Sequence, residues 1–379
     1  MNEVVASGTL RVDLIGGMRR PEALLDARAR RDRGALSDNA FQHVVDDAVR
    51  ELIAREEAHG LPVVTDGEYR RHNFQESFGG AVTGFDAAPY IYSGTGARPA
   101  TWQPGRIETG VSAPGPAILN RRPVNERLKL IRNAILEEYR HSSSVATVPV
   151  KLTLIGPDRI SQRFEWESSQ QIYPDMDAFL EDVVAIERQM IAEVVAAGCR
   201  YIQIDAPGFT AYVDPPSLER MRARGEDPAE NLARSIRAEN AIIAGFPGVA
   251  FGIHVCRGNG PGWHREGHYD AIAEALFGGL NHNRLLLEYD SERAGSFEPL
   301  RFVPKGKIAV LGLVSTKVSH VETPDELKRR IEEAGRYLPL EQLALSPQCG
   351  FGGLVSEEEQ WRKIDAIVET ATEVWGSPA

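Results

Sequence analysis

The feature that most constrains the fold is an alternation running the length of the chain, in which short β-branched or aliphatic runs are each followed by a longer amphipathic stretch. Eight such runs stand at residues 10–15, 62–65, 150–154, 201–204, 249–254, 284–288, 307–312 and 343–346. Several are nearly all apolar (VAFGI, RLLLE, IAVLGL), the pattern of parallel strands covered on both faces. Helical periodicity fills the intervals at 22–33, 40–59, 125–141, 176–197, 229–244, 269–280, 324–334 and 357–374, more weakly at 291–300. Thr323 and Ser356 stand where N-caps belong. Strand followed by helix eight times predicts an α/β chain folded as a (β/α)8 TIM barrel, one domain over residues 1–379. The main excursion, 69–123, is rich in Gly, Pro and Tyr. At about fifty residues it is too long for a passive connection and reads as an inserted arm or lid after the second strand, with 106–110 as a hairpin strand.

Charge and cysteine usage narrow the function class. Forty-three Lys+Arg against 54 Asp+Glu give a net charge of −11, which disfavours nucleic acid as a partner, since phosphate neutralisation supplies most of that affinity. No apolar run approaches the roughly 20 residues of a membrane span, and the N-terminal stretch lacks the basic and apolar blocks of a cleaved signal. Three cysteines, an odd number, argue against a disulfide framework and for a reducing compartment. The expectation is a cytoplasmic enzyme.

In a barrel of this type chemistry collects at the C-terminal ends of the strands. The residues following the eight runs are Ile15-Gly16-Gly17, Asp66-Gly67-Glu68, Gly156-Pro157, Asp205, His254-Val255-Cys256, Glu288, Ser315-Thr316-Lys317 and Gln348-Cys349-Gly350. Two of the three cysteines, a histidine and four carboxylates therefore converge on one rim. His254 and Cys256 are two apart, so on an extended strand end their side chains point the same way. With Glu288 and Cys349 they form an N, S, S, O donor set, for which zinc is the best match. The plainer reading is a strand-end pair and a small buried thiol. Asp66, Glu68 and Asp205 are also read as caps or arginine partners, although Asp205 follows an apolar strand and precedes Ala-Pro-Gly rather than a helix. Gly258–Gly262 is read as a loop, and Cys199 as core. Apart from His254, His72 and His264, the histidines are placed at the surface.

Taken together, Asp13-Leu14-Ile15-Gly16-Gly17, Asp66-Gly67-Glu68, Ile202-Gln203-Ile204-Asp205, His254-Val255-Cys256, Leu287-Glu288 and Ser346-Pro347-Gln348-Cys349-Gly350 resemble the catalytic barrel of cobalamin-independent methionine synthases and their single-barrel relatives. The resemblance implies zinc as cofactor, held by His254, Cys256, Glu288 and Cys349. It also implies that Glu68 and Asp205 hold the amino group of homocysteine, and that Ile15, Gly16 and Gly17 meet its carboxylate. The chain departs from the family pattern at Gly17, where a serine is expected, and at Ala211, where a glutamate is expected. Lys317 aligns with the histidine taken as proton donor. The Arg-Cys pair and tryptophan of the folate site fall near Thr101-Trp102 and Arg163 and are not kept. The general acid is left among His72, Lys317 and His320.

The expected activity is zinc-dependent methyl or alkyl transfer to a thiol, most simply homocysteine to methionine. Alternatives are another electrophile, as in epoxide–coenzyme M transferases, and a metal- or thiol-binding protein without turnover. The expected partners are the small thiol, an alkyl donor, a second copy through the 69–123 arm and a methyl-carrying protein. Phe74, Phe78, Tyr90, Tyr92 and Trp102 are candidates to wall a donor pocket.

Overall fold

A computed structural model describes residues 10–85, 123–259, 265–352 and 355–379. Its centre is a parallel six-stranded sheet of β3 (Lys151–Ile155), β4 (Tyr201–Asp205), β5 (Ala250–Val255), β6 (Arg284–Glu288), β7 (Ile308–Val314) and β8 (Leu343–Pro347), in that order. Every residue of these strands is buried, as sheets covered on both faces require. Sequence-adjacent strands pair throughout, with Asp205 opposite His254 and Glu288 opposite Gly312, so the ends of successive strands lie side by side.

The first two runs do not form ladders. Val12 makes one parallel bridge to Leu345 on β8, and Val64 makes one to Val150 beside β3. Proline at 62 has no N–H to give to a ladder. Between the two runs the links are Thr65 Oγ1 donating to the Gly16 carbonyl at 3.1 Å and Met18 N–H donating to the Gly67 carbonyl at 3.1 Å. The expected closed ring of eight strands is therefore observed, among the described residues, as six laddered strands flanked by two bridged segments.

Helix boundaries follow local chemistry. Glu357–Trp375 and Pro324–Ala334 open on the capping boxes Ser356/Glu359 and Thr323/Glu326, each satisfying two otherwise orphaned N–H groups. Met176–Ala196 is capped by Asp175, and Pro228–Ile243 by Asp227. The 125–141 expectation is corrected. Lys129–Leu130 (β2) pairs antiparallel with Val82–Thr83 (β1), and the helix spans Ala134–Val145 behind its Asn133 cap. Across 269–280 the chain forms a 3-10 turn, Tyr269–Ala271, and a short helix, Ala273–Gly279. The 106–110 strand and residues 260–262 lie outside the described residues.

The sheet's inward face is divided by chemistry. On one side Ile15, Leu286, Ile308, Val310 and Ala344 form an apolar cluster. On the other, Asp13 accepts from Lys151 Nζ at 2.6 Å, Tyr201 OH at 2.5 Å and Arg284 Nε at 3.1 Å. Burial works against the Asp13 charge, but Lys151 and Arg284 outweigh it and hold its carboxyl below the usual range. This charged network is a floor beneath the strand ends.

Candidate metal centre and substrate cavity

His254 is at the end of β5 and Cys256 one residue beyond that strand; Cys349 follows β8. Their potential ligand atoms lie within 4.8 Å of one another. The two sulfurs are 3.9 Å apart, far longer than a disulfide. Two sulfurs bound at about 2.3 Å to one tetrahedral ion would be separated by roughly 3.8 Å. His254 Nδ1 faces the Leu286 carbonyl at 3.2 Å, while Nε2 is buried with no hydrogen-bond partner among the described residues. A ring whose Nδ1–H is spent on a carbonyl presents the Nε2 lone pair, the usual arrangement of a metal-ligating histidine. The donor set fits zinc. A hydrogen bond from Cys349, with His254 nearby, draws the Cys256 thiol well below its ordinary pKa, and Cys349 is raised in turn.

Glu288 stands beside this trio without joining it. Its Oε1 accepts from Lys317 Nζ at 2.5 Å, and its Oε2 from the Arg257 backbone N–H at 2.6 Å. Lys317 also lies 3.6 Å from Asp290. Of the other proton-donor candidates, His72 lines the cavity, its pKa lowered chiefly by burial. His320 is exposed and paired with Glu326 at 3.4 Å.

The trio opens into a cavity of about 240 Å³ that is also lined by Ile15, Gly17, Glu68, His72 and Asp205. Gly16 at φ +124° curls the first loop, and a Cβ there would lie 2.6 Å from Thr153 Cγ2. Glu68 is the one non-glycine at positive φ (+58°) among the described residues, a costly conformation of the kind that clusters at functional sites. Asp66 Oδ1 accepts its N–H at 2.9 Å, Arg20 Nη2 donates to its carbonyl at 2.9 Å, and Thr153 Oγ1 donates to its Oε1 at 3.1 Å. Asp205 Oδ1 accepts from Gln203 Nε2 at 2.6 Å. Burial, followed by the nearby Glu68 charge, pushes Asp205 up to about 7. Two carboxylates thus face one cavity with one of them under-compensated.

Gln203, Thr153 and the Arg71–Glu138 pair are positioning residues that sequence reasoning missed. Arg71 Nη2 reaches Glu138 Oε2 at 2.5 Å and Nη1 reaches Thr153 Oγ1 at 3.0 Å. The signal for Thr153 and Gln203 was visible as polar residues inside the otherwise apolar strands KLTLI and YIQID. Two placements are corrected. His282 is fully buried, both ring nitrogens lacking partners among the described residues, and burial lowers its pKa to about 3. Phe78 is 1% exposed in the hydrophobic core rather than on a pocket wall, whereas Phe74 does line the cavity. Cys199 is in the core as expected. Tyr90, Tyr92, Trp102 and His264 lie outside the described residues.

The first loop rests on a buried acid. Glu56 Oε2 accepts from Thr65 N–H at 2.8 Å, and its Oε1 lies 3.2 Å from Thr65 Oγ1. That hydroxyl is shared between Glu56 and the Gly16 carbonyl, so the acid is tied to the first loop through Thr65. Burial raises Glu56 from 4.5 to about 8. The folded state therefore holds a proton that the unfolded chain releases above pH 4.5. This stabilising contribution is complete below about 4.5 and is lost as pH rises toward 8, at about 1.4 kcal/mol per pH unit. Urea unfolding of Glu56→Gln between pH 5 and 8 should show a correspondingly flatter decline than the parent. Parallel curves would refute the assignment.

The family model described as cobalamin-independent synthase, catalytic domain, matches residues 14–257. The chain is 34% identical over 374 residues to the uncharacterized protein YxjG of Bacillus subtilis (strain 168), covering 96% of this chain and 94% of that protein. It is 26% identical over 347 residues to the methionine synthase of Pyrococcus abyssi (strain GE5 / Orsay), covering 90% and 86%. Its fold is similar to the solved B12-independent methionine synthase of Shewanella sp. W3-18-1 in complex with selenomethionine, with TM-score 0.69, 17% identity, and coverage of 96% and 97%.

Proposed function

Because the chain belongs to the cobalamin-independent methionine synthase catalytic-domain family, we propose that it transfers a methyl or alkyl group to the sulfur of homocysteine, with zinc as cofactor. The observation that carries this reading is that one cavity holds both the His254/Cys256/Cys349 donor set and the Glu68/Asp205 carboxylate pair. His254, Cys256 and Cys349 would hold the ion, with Glu288 as a displaceable fourth donor. When bound, zinc keeps a thiol deprotonated and nucleophilic near neutral pH.

The protein's own residues do the rest. Glu68 and Asp205 receive the ammonium, which relieves the repulsion between them. Gln203 fixes one Asp205 oxygen, and the loop at Ile15–Gly17 borders the carboxylate end. Holding the sulfur and the donor carbon in line supplies proximity and orientation. His72 and Lys317 remain the candidate proton donors. We extend the six laddered strands and two bridged segments to a (β/α)8 barrel in one domain. The three free cysteines support a reducing, cytoplasmic setting.

The test is homocysteine binding to zinc-loaded protein, compared with 4-mercaptobutyrate, which keeps the thiol and carboxylate but lacks the amine. Losing one charge-assisted contact costs about 1.5–3 kcal/mol, roughly ten- to a hundredfold. Asp205→Asn should weaken homocysteine by that factor and leave 4-mercaptobutyrate nearly unchanged. Equal weakening of both would remove Asp205 from amine recognition. Failure of the zinc-loaded parent to bind homocysteine at all would defeat the functional reading.

A further inference from the structure

The first loop has its acceptors occupied and its donors open. Gln203 Nε2 donates to the Ile15 carbonyl at 2.6 Å, Thr65 Oγ1 to that of Gly16 at 3.1 Å, and the Phe351 N–H to that of Gly17 at 2.7 Å. The N–H groups of Ile15, Gly16 and Gly17 have no hydrogen-bond partner among the described residues. Successive backbone donors left open in a turn suit an anion. Arg20 follows on the same segment and lines the same cavity. Its Nη2 donates to the carbonyls of Glu68 and Arg71 at 2.9 and 2.8 Å, which braces the guanidinium against the turn that carries Glu68. Among the described residues no carboxylate pairs with Arg20, and its Nη1 forms no hydrogen bond.

We propose that Arg20, with the open N–H groups of Ile15, Gly16 and Gly17, receives the carboxylate of the thiol substrate and makes the cavity selective for a zwitterionic amino-acid thiol over a simple aminothiol. The proposal rests on the functional reading above and deepens it by assigning a specificity-determining residue.

Placement and charge support the assignment. An α-amino acid carries its ammonium and carboxylate on one carbon, so the two receptors must adjoin. Here they do. Arg20 is bonded to the backbone of Glu68, whose carboxylate faces the ammonium, and a Cβ at Gly17 would lie 3.4 Å from Glu68 Oε2. Gly17 has no side chain to contribute, so any positive charge at this end comes from beyond the loop. Arg28 marks the surplus of positive charge behind it. Burial and then Arg20 lower its pKa to about 10, and its Nε and Nη1 lack partners. A bound carboxylate would pair the Arg20 charge just as the ammonium relieves Glu68 and Asp205, leaving the charges of the occupied cavity matched. An aminothiol without a carboxylate leaves Arg20 unpaired.

The experiment measures binding of three thiols to the zinc-loaded full chain: homocysteine, 4-mercaptobutyrate, which lacks the amine, and 3-aminopropane-1-thiol, which lacks the carboxylate. The variants are Arg20→Met, Arg20→Gln and Arg20→Lys. The parent should bind homocysteine at least about tenfold more tightly than 3-aminopropane-1-thiol. Arg20→Met and Arg20→Gln should each weaken homocysteine and 4-mercaptobutyrate about tenfold or more and leave 3-aminopropane-1-thiol within about threefold, the mirror image of Asp205→Asn. Arg20→Lys, which keeps the charge but not the fork, should fall between the parent and Arg20→Met. Zinc affinity by chelator competition should stay within about threefold of the parent in all three variants. Having both Met and Gln replacements guards against one misfolding. Equal weakening of all three thiols would reduce Arg20 to a brace for the Glu68 turn and overturn the proposal. No weakening of the two carboxylate-bearing thiols, or a parent that binds homocysteine and 3-aminopropane-1-thiol equally, would overturn it too. Those outcomes leave the functional reading intact, whereas a zinc-loaded parent that does not bind homocysteine defeats both.

Discussion

Cys256→Ser and Cys349→Ser are each expected to strip zinc from the protein while leaving the sheet folded. Both thiols lie at strand ends rather than in the packed interior of the sheet, so exchanging sulfur for oxygen removes a ligand without opening a core cavity. Serine is a poor substitute because zinc binds the thiolate, and a neutral hydroxyl neither matches its softness nor carries its charge. Disturbing the partners around a zinc ligand already costs roughly 10–100-fold in affinity, so loss of a ligand should exceed about a hundredfold. Metal analysis after dialysis against a chelator, paired with thermal unfolding, reads both halves of the expectation. Cys199→Ser is the internal control. Cys199 is fully buried, its thiol pushed by burial up to about 12, and its variant should retain zinc. Full occupancy in both Cys256→Ser and Cys349→Ser would remove the metal centre, and with it the basis for thiol activation.

Much of this site was legible because strand ends are. Once the alternating runs are recognised, position along each run says which residue reaches the rim, and His254, Cys256, Cys349, Glu68 and Asp205 follow without knowing the distances between them. Two kinds of information were not legible. Pairings between distant segments, such as Lys317 with Glu288 or Arg71 with Glu138, join residues 29 and 67 apart in the chain by geometry that no periodicity encodes. Burial of isolated polar groups was hidden as well. His282 sits in Leu-Asn-His-Asn, a context that looks like a surface turn, yet it is fully enclosed. The 125–141 stretch shows a third limit. Its helical pattern is real from residue 134 onward, but Lys129–Leu130 is taken into a two-residue pairing with Val82–Thr83, a tertiary contact that overrides local preference.

With homocysteine as acceptor, methyl-folate triglutamate is expected to be a poor donor. The Arg-Cys and tryptophan positions of the family's folate site are not kept, and Arg163, which falls at one of them, is buried with its guanidinium 6.0 Å from the Phe85 ring. Of the four arginines that line the cavity, three are engaged by backbone carbonyls, and the fourth, Arg159, faces Gln162 Oε1 at 3.5 Å. Arg20 donates to the carbonyls of Glu68 and Arg71, Arg257 to that of Gly267, and Arg265 to that of Pro207. Ala211, where the family pattern has a glutamate, is fully buried and offers no polar atom beyond its backbone. Phe74 adds an apolar surface beside His72 on the cavity wall, which suits a smaller or less charged donor. Losing even two charge-assisted contacts at about 1.5 kcal/mol each implies at least a hundredfold loss. A methyl-transfer assay should therefore give methyl-folate triglutamate less than about one-hundredth of the turnover of the best donor among methylcobalamin and simple S- or O-methyl compounds. Comparable turnover with the triglutamate would show that other residues rebuild the folate site, and would return this chain to the family's folate donor chemistry.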